Sequence, residues 1–272
     1  MDESSNANSD VFKILTIDGG GIKGLYSARI LSHLEQQFRA NISDHFDMLC
    51  GTSTGGIIAL ALSLKIPALD ICSFYETKGP LIFPKQRVFK IPLLGKYDYG
   101  FYKQVALRGK YKSGSLFTSL KEVFGDKKLK DSNNLLCIPS YCITDASPWI
   151  FKYDHPEGQL DRDNKALYVD VAMATTAAPT YFPLYEISYY DSKQFVDGGV
   201  WGNNPTLVGL IEALKYFVGT DKKYRKLQIL SVSSLSLTGG NPPGLKANRS
   251  FRDWGDDLFE TSLTGQSAFT HN

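Results

Sequence analysis

The sequence predicts an α/β fold with a largely parallel sheet covered on both faces by helices. Four apolar runs, Phe12 to Ile17, Phe46 to Cys50, Leu135 to Thr144 and Leu227 to Val232, read as strands buried on both sides. Between several of them the apolar period changes to that of a helix, and strands alternating with helices build parallel sheets.

Taken in chain order, MDESSNANSD (residues 1–10) is acidic and polar and is expected to be a disordered tail. It has neither the basic start nor the apolar stretch of a secretory signal. Residues 11–272 are expected to form a single domain. After the first strand comes DGGGIKG, and then Leu25, Ile30, Leu31, Leu34 and Phe38 recur at helical spacing. The second strand ends at Cys50 and is followed by GTSTGG and an apolar helix over Ile57 to Leu64. Gly79 to Gly114, rich in Pro, Gly and basic residues, interrupts the rhythm and reads as a cap or insertion. The third strand follows, then a helix over Thr206 to Phe217 and the last strand. The final stretch, FETSLTGQSAFTHN, ends without a helix stop signal after an apparent helix.

Composition excludes several classes. A chain of 272 residues with 43% hydrophobic content suits one folded, enzyme-sized domain. Gly55 to Leu64, its longest strongly apolar run, is far short of the roughly 20 residues a membrane span needs. Cys50, Cys72, Cys137 and Cys142 form no CxxC pair and have no histidine at ligand spacing. Neither a zinc site nor a disulfide framework is expected, and reduced thiols point to a cytoplasmic setting. Net charge is +2, yet Lys78 to Lys130 carries thirteen Lys and Arg against Asp98, Glu122 and Asp126, a local balance of +10. Phe83, Phe89, Tyr97, Tyr99, Phe101, Tyr102, Tyr111, Phe117 and Phe124 lie in the same segment, a mixture that suits an anionic lipid surface or a phosphorylated ligand. The alternative is a solvated insertion whose aromatics pack inward.

Two glycine-rich turns compete for the functional reading. Gly19, Gly21 and Gly24 satisfy GxGxxG between a strand and a helix, the dinucleotide fingerprint. That fingerprint also wants an acid at the far end of the second strand. Asp44 and Asp47 instead precede or open that strand, and its far end carries Gly51, Ser53 and Gly55 as GxSxG. A serine on so sharp a turn is strained, and glycines two positions to either side remove the crowding. The helix beginning near Thr54 aims its positive end at the same point. Gly19, Gly20 and Gly21 can then present backbone N–H groups to a carbonyl oxygen as it becomes an anion.

A serine nucleophile needs a base. His33, His45, His155 and His271 lack the strand-end loop position of a triad member, although a triad through His155 stays open as a reading. FVDGGVWGNNP offers Asp197 at a strand end, followed by Gly198 and Gly199, with a helix opening near Pro205. Such a carboxylate can reach the serine directly, provided that the site is dry and the anion is held. Asp197 could equally be a turn former before two glycines.

DGGGIKG, GTSTGG, ATTAAPTYFP and VDGGVWGNNP, in this order over residues 18–205, resemble the patatin-like phospholipase family. The resemblance implies a three-layer α/β/α sandwich with a mostly parallel central sheet. It also implies a Ser–Asp dyad that cleaves acyl esters of membrane phospholipids without metal or cofactor. By motif position Ser53 becomes the nucleophile, Asp197 the base and Gly19, Gly20 and Gly21 the oxyanion loop, with Lys23, Gly51, Gly55, Gly198 and Gly199 supporting them. Lys23 stands where the family often has arginine, and ILSVSSLSLTGG is longer than the equivalent turn in many relatives. Some bacterial members similar to this chain act in antiphage defence, which makes a cyclic nucleotide the candidate activator. The expected enzyme is cytoplasmic and visits the inner face of the membrane, with no nucleic-acid polymer as partner. The competing class is a nucleotide-binding sensor module without hydrolase activity.

Overall fold

The computed structural model describes residues 10–83, 88–91, 95–98, 113–235, 243–245, 247–249, 254 and 257–271, and among these described residues lie nine strands and seven longer helices. The strands are β1 (Val11–Ile17), β2 (Met48–Gly51), β3 (Val88–Ile91), β4 (Gly95–Asp98), β5 (Leu135–Cys142), β6 (Ser147–Lys152), β7 (Tyr185–Ile187), β8 (Lys193–Asp197) and β9 (Lys226–Val232). The helices are α1 (Gly24–Phe38), α2 (Thr54–Ser63), α3 (Ala68–Ile82), α4 (Ser113–Phe124), α5 (Tyr168–Thr175), α6 (Thr206–Tyr216) and α7 (Asp257–His271). One further helical turn spans Gly199–Gly202.

The four predicted strands form the parallel part of a seven-stranded sheet of order β7-β8-β5-β2-β1-β9. Three further strands add antiparallel pairings: β6 and β8 pair antiparallel with β5, and β7 with β8. The sheet is thus more mixed than the sequence predicts, and the reason is local. β5 turns into β6 through Ala146 at φ 49°, and β7 turns into β8 through Asp191 and Ser192 at φ 53° and 58°. Connections this short can only reverse the chain.

Side chains alternate across the sheet as a two-residue period requires. Leu15, Ile17, Leu49, Leu136 and Ile138 join the core that α1 to α5 cover. Phe12, Ile14, Met48, Cys50 and Cys137 face the other way, against Val208, Ala213 and Phe217 of α6 and its end. Helices therefore lie on both faces of the sheet. α2 is buried along its whole length, which explains why its sequence is apolar all round and shows no amphipathic period.

The predicted tail at residues 1–10 lies outside the described residues except for Asp10. Much of the basic, aromatic segment does so as well, including Tyr99, Phe101, Tyr102 and Tyr111. Within its described part, α3 continues past Gly79 and Pro80 to Ile82, and β3 pairs antiparallel with β4. Leu116, Leu120 and Phe124 of α4 are buried in the main core. No helix among the described residues is long and apolar enough to cross a membrane.

The register around β5 positions the site. β6 runs along one edge of β5, so β2 and β8 must share the other, approaching end to end from opposite directions. Cys50 of β2 stands opposite Cys137, and Asp197 of β8 stands opposite Ser140. Residues 51–53 leave β2 at this junction, which brings Ser53 to the end of β8 although 144 positions separate the two in sequence.

Candidate active site

Ser53 closes the junction between β2 and α2 with φ 55° and ψ −125°, a backbone conformation unfavourable for any residue with a side chain. The glycines around it allow the turn. A Cβ on Gly51 would lie 2.1 Å from the Gly55 carbonyl oxygen, and one on Gly55 would lie 2.3 Å from that of Ile17. Two hydroxyls brace the bend: Thr175 Oγ1, at the end of α5, accepts from Ser53 N at 3.0 Å and donates to the Pro139 carbonyl at 2.6 Å. On the other side Thr52 Oγ1 donates to the Gly202 carbonyl at 2.7 Å.

The bend delivers the Ser53 hydroxyl to a carboxylate. Ser53 Oγ donates to Asp197 Oδ2 at 2.6 Å, while Asp197 Oδ1 accepts the Gly199 N–H at 2.7 Å. Asp197 is 3% exposed, and burial pushes its carboxyl up from 3.8 to about 7 despite the two hydrogen bonds that favour the charged form. An acid of that strength can hold or release a proton near neutrality. Gly198 passes so close to β5 that a Cβ there would sit 2.3 Å from the Pro139 carbonyl oxygen.

The glycine run lies against the same junction, but its N–H groups are not equivalent. Gly19 N donates to the Asn203 carbonyl at 3.0 Å, and Gly20 N donates to Thr54 Oγ1 at 3.2 Å. Gly21, at φ 55°, directs its N–H to no acceptor among the described residues. Lys23 is exposed, and its N–H donates to the Gly20 carbonyl at 3.1 Å, closing the turn into α1. The structure thus gathers Ser53, Asp197 and Gly19 to Gly21 at one end of the sheet, with Gly51, Gly55, Gly198 and Gly199 as close-approach positions around them.

Three of the four histidines lie elsewhere, and the side chain of His271 falls outside the described residues. His33 and His45 are exposed on the surface of their elements. His155 is buried between the rings of Tyr216 and Phe217. Its Nδ1 accepts the Gly158 N–H at 3.1 Å, which leaves Nε2 to donate to Glu212 Oε1 at 3.1 Å. Both nitrogens are committed to a structural cluster that Lys152 completes through Glu212 at 2.6 Å, so the triad reading through His155 has no geometric support. Thr175 and Asn203, by contrast, touch the site directly. Both fall within stretches that carry the family resemblance, yet no chemical argument from sequence singles them out.

Residues 15–210 match the family model described as patatin-like phospholipase. The chain is 33% identical over 258 residues to a cGAMP-activated phospholipase of Pseudomonas aeruginosa (strain BWHPSA011 / Pa011), covering 94% of this chain and 72% of that protein. It is 30% identical over 251 residues to a cGAMP-activated phospholipase of Vibrio cholerae serotype O1, covering 88% and 68%. Patatin-like protein 2 of Oryza sativa subsp. indica is 29% identical over 299 residues, covering 97% and 69%. Among solved structures, VipD from Legionella pneumophila aligns at 11% identity with a TM-score of 0.44, covering 94% of this chain and 67% of that one.

Proposed function

This chain belongs to the patatin-like phospholipase family and is a serine ester hydrolase, and from that premise we propose that it cleaves acyl esters of membrane phospholipids through Ser53 and Asp197. The observation that carries the assignment is the 2.6 Å hydrogen bond from Ser53 Oγ to a buried carboxylate whose affinity for protons is raised to about 7.

The steps follow from that contact. Asp197 takes the hydroxyl proton as Ser53 Oγ attacks the ester carbonyl, and the carbonyl oxygen becomes an anion. Gly21 N–H is free to receive it, and Gly20 N–H needs only to leave its 3.2 Å bond to Thr54. Gly19 N–H keeps its bond to Asn203, so Gly20 and Gly21 are the donors and Gly19 serves by its lack of a side chain. Collapse of the tetrahedral species breaks the ester C–O bond, and the departing alcohol takes the proton from Asp197. Water then gives a proton to Asp197 and attacks the acyl-enzyme, releasing the fatty acid and returning the proton to Ser53. The positive end of α2, which starts at Thr54, favours the negative charge throughout.

The activator in this reading is a cyclic nucleotide, supported by the two cGAMP-activated relatives, and the setting carried over from the family resemblance is antiphage defence. In this reading the enzyme works from the cytoplasm at the inner face of the membrane. Docking draws on the basic segment Lys78 to Lys130. Fatty acid release from phospholipid vesicles, with and without cGAMP, tests the whole. Ser53→Ala is expected to abolish both that release and covalent labelling by a fluorophosphonate probe. Unchanged release by the variant would overturn the assignment. Absence of labelling under every activating condition, joined to nucleotide affinity, would favour a sensor module.

A further inference from the structure

We infer that Asn203 is a positioning residue that registers the oxyanion loop against the base turn, and that α7 holds it in place. The inference rests on the reading of Ser53 and Asp197 as the hydrolytic pair. Asn203 is buried at the end of the Gly199–Gly202 turn that begins two residues after Asp197. Its carbonyl accepts the Gly19 N–H at 3.0 Å, and its Nδ2 donates back toward the Gly19 carbonyl at 3.4 Å. One residue therefore grips Gly19 by both polar groups of its main chain. Ser234 Oγ adds a second donor to the Gly19 carbonyl at 3.0 Å.

The grip is close enough to set distances at the reacting atoms. A Cβ on Gly19 would stand 2.4 Å from Asn203 Oδ1 and 3.2 Å from Ser53 Cβ. A Cβ on Gly199 would stand 3.1 Å from Asp197 Oδ1 and 3.3 Å from Asn203 Oδ1. The Asn203 amide thus lies between the loop meant to hold the oxyanion and the turn that carries the base. Misplacement of such groups by about 1 Å costs on the order of 100-fold in rate, because the donors must meet the anion and not the ground-state carbonyl.

Asn203 is in turn held from outside the sheet. Ser267 Oγ accepts from its Nδ2 at 2.9 Å, and Gln266 Oε1 accepts from its N–H at 3.2 Å. Gln266 Nε2 reaches on to the Val200 carbonyl at 3.0 Å, so α7 is tied to both ends of the same helical turn. Movement of α7 would release Asn203, and through it Gly19, without touching Ser53 or Asp197.

Turnover of a soluble p-nitrophenyl acyl ester reads the active site without a membrane. Asn203→Ala is expected to lower kcat about 100-fold with KM within about twofold. Ser267→Ala, which changes a partly exposed residue, is expected to lower kcat about fivefold with an unchanged melting temperature, and the double variant should be no slower than Asn203→Ala. Asn203→Asp should move the acid limb of the pH profile upward, because a new carboxylate beside Asp197 disfavours its ionised form. Wild-type kcat in Asn203→Ala or in folded Ser267→Ala, or multiplying effects in the double variant, would overturn the positioning role. Should Asn203→Ala fail to fold, Ser267→Ala alone decides between the two outcomes. Turnover surviving in Ser53→Ala would instead remove the hydrolytic reading beneath it.

Discussion

Replacing Asp197 by Asn should destroy activity and stabilise the protein, and the second effect carries a pH signature that a general structural role would not produce. In the unfolded chain this carboxyl has its ordinary value of 3.8, whereas burial raises it to about 7 in the folded protein. At about 1.4 kcal/mol per unit, that difference amounts to about 4 kcal/mol. Between the two values the folded state keeps a proton that the unfolded state has lost. Stability from this group is therefore fully present below pH 3.8, falls as pH rises, and levels off above about 7. Asn has no such dependence.

The measurable quantity is the stability of Asp197→Asn minus that of the native protein, taken from urea denaturation at a series of pH values. Other titrating groups cancel in the difference, and any fixed cost of altering the hydrogen bonds to Ser53 and Gly199 shifts the curve without bending it. The difference should rise by up to about 1.4 kcal/mol per pH unit through the weakly acidic range and then become flat near pH 7. Over the same range kcat/KM of the native enzyme should climb about tenfold per unit and reach a plateau as the base ionises. Asp197→Asn should lose at least about 100-fold in kcat at every pH. A difference curve with no slope between pH 4.5 and about 8, or one that falls with rising pH, would refute the claim that burial raises this carboxyl.

Two further substitutions probe the bend itself. Gly55→Ala places a methyl group 2.3 Å from the Ile17 carbonyl oxygen and 2.6 Å from that of Asp18, main-chain atoms that cannot swing aside. It should cost about 1 to 3 kcal/mol in urea denaturation and lower ester turnover, and a change under about 0.5 kcal/mol would contradict the packing. Thr175→Val strands the Ser53 N–H and the Pro139 carbonyl together. A loss of about 2 kcal/mol with reduced kcat is expected, Thr175→Ser should restore both, and full activity in the valine variant would show that the brace is dispensable.

β1, β2 and β5 are legible in the sequence because both of their faces are covered and must be apolar, whereas β9, expected to be buried on both sides, is an edge strand on which Lys226, Gln228 and Leu230 are exposed. β6, β7 and β8 are not equally legible: SPWIFK, YEI and KQFVD are short and mixed, and hairpin geometry rather than periodicity makes them strands. α3, α4 and α5 pass unnoticed for a related reason, since α3 contains Gly79 and Pro80 and α4 lies within a segment whose charge suggests an insertion. At the site, Ser53 is legible because a strained turn leaves a trace in its neighbours: nothing but glycine fits at residues 51 and 55.

The glycine run tells less than its composition suggests. Three residues without side chains announce that something comes close, but they do not say which way their N–H groups point. Gly19 spends its N–H on Asn203 and Gly20 spends its own on Thr54, and both partners arrive through tertiary register rather than local pattern. The Gly19 amide is thus engaged before any oxyanion forms, and Gly20 must exchange its bond to Thr54 in order to serve. Asn203 and Thr175 escape notice for the converse reason, because a side chain that bonds to main-chain atoms imposes no spacing rule on the sequence. Their roles emerge only when β2 and β8 are seen to meet on one edge of β5, bringing the 51–53 bend and the 198–203 turn against each other.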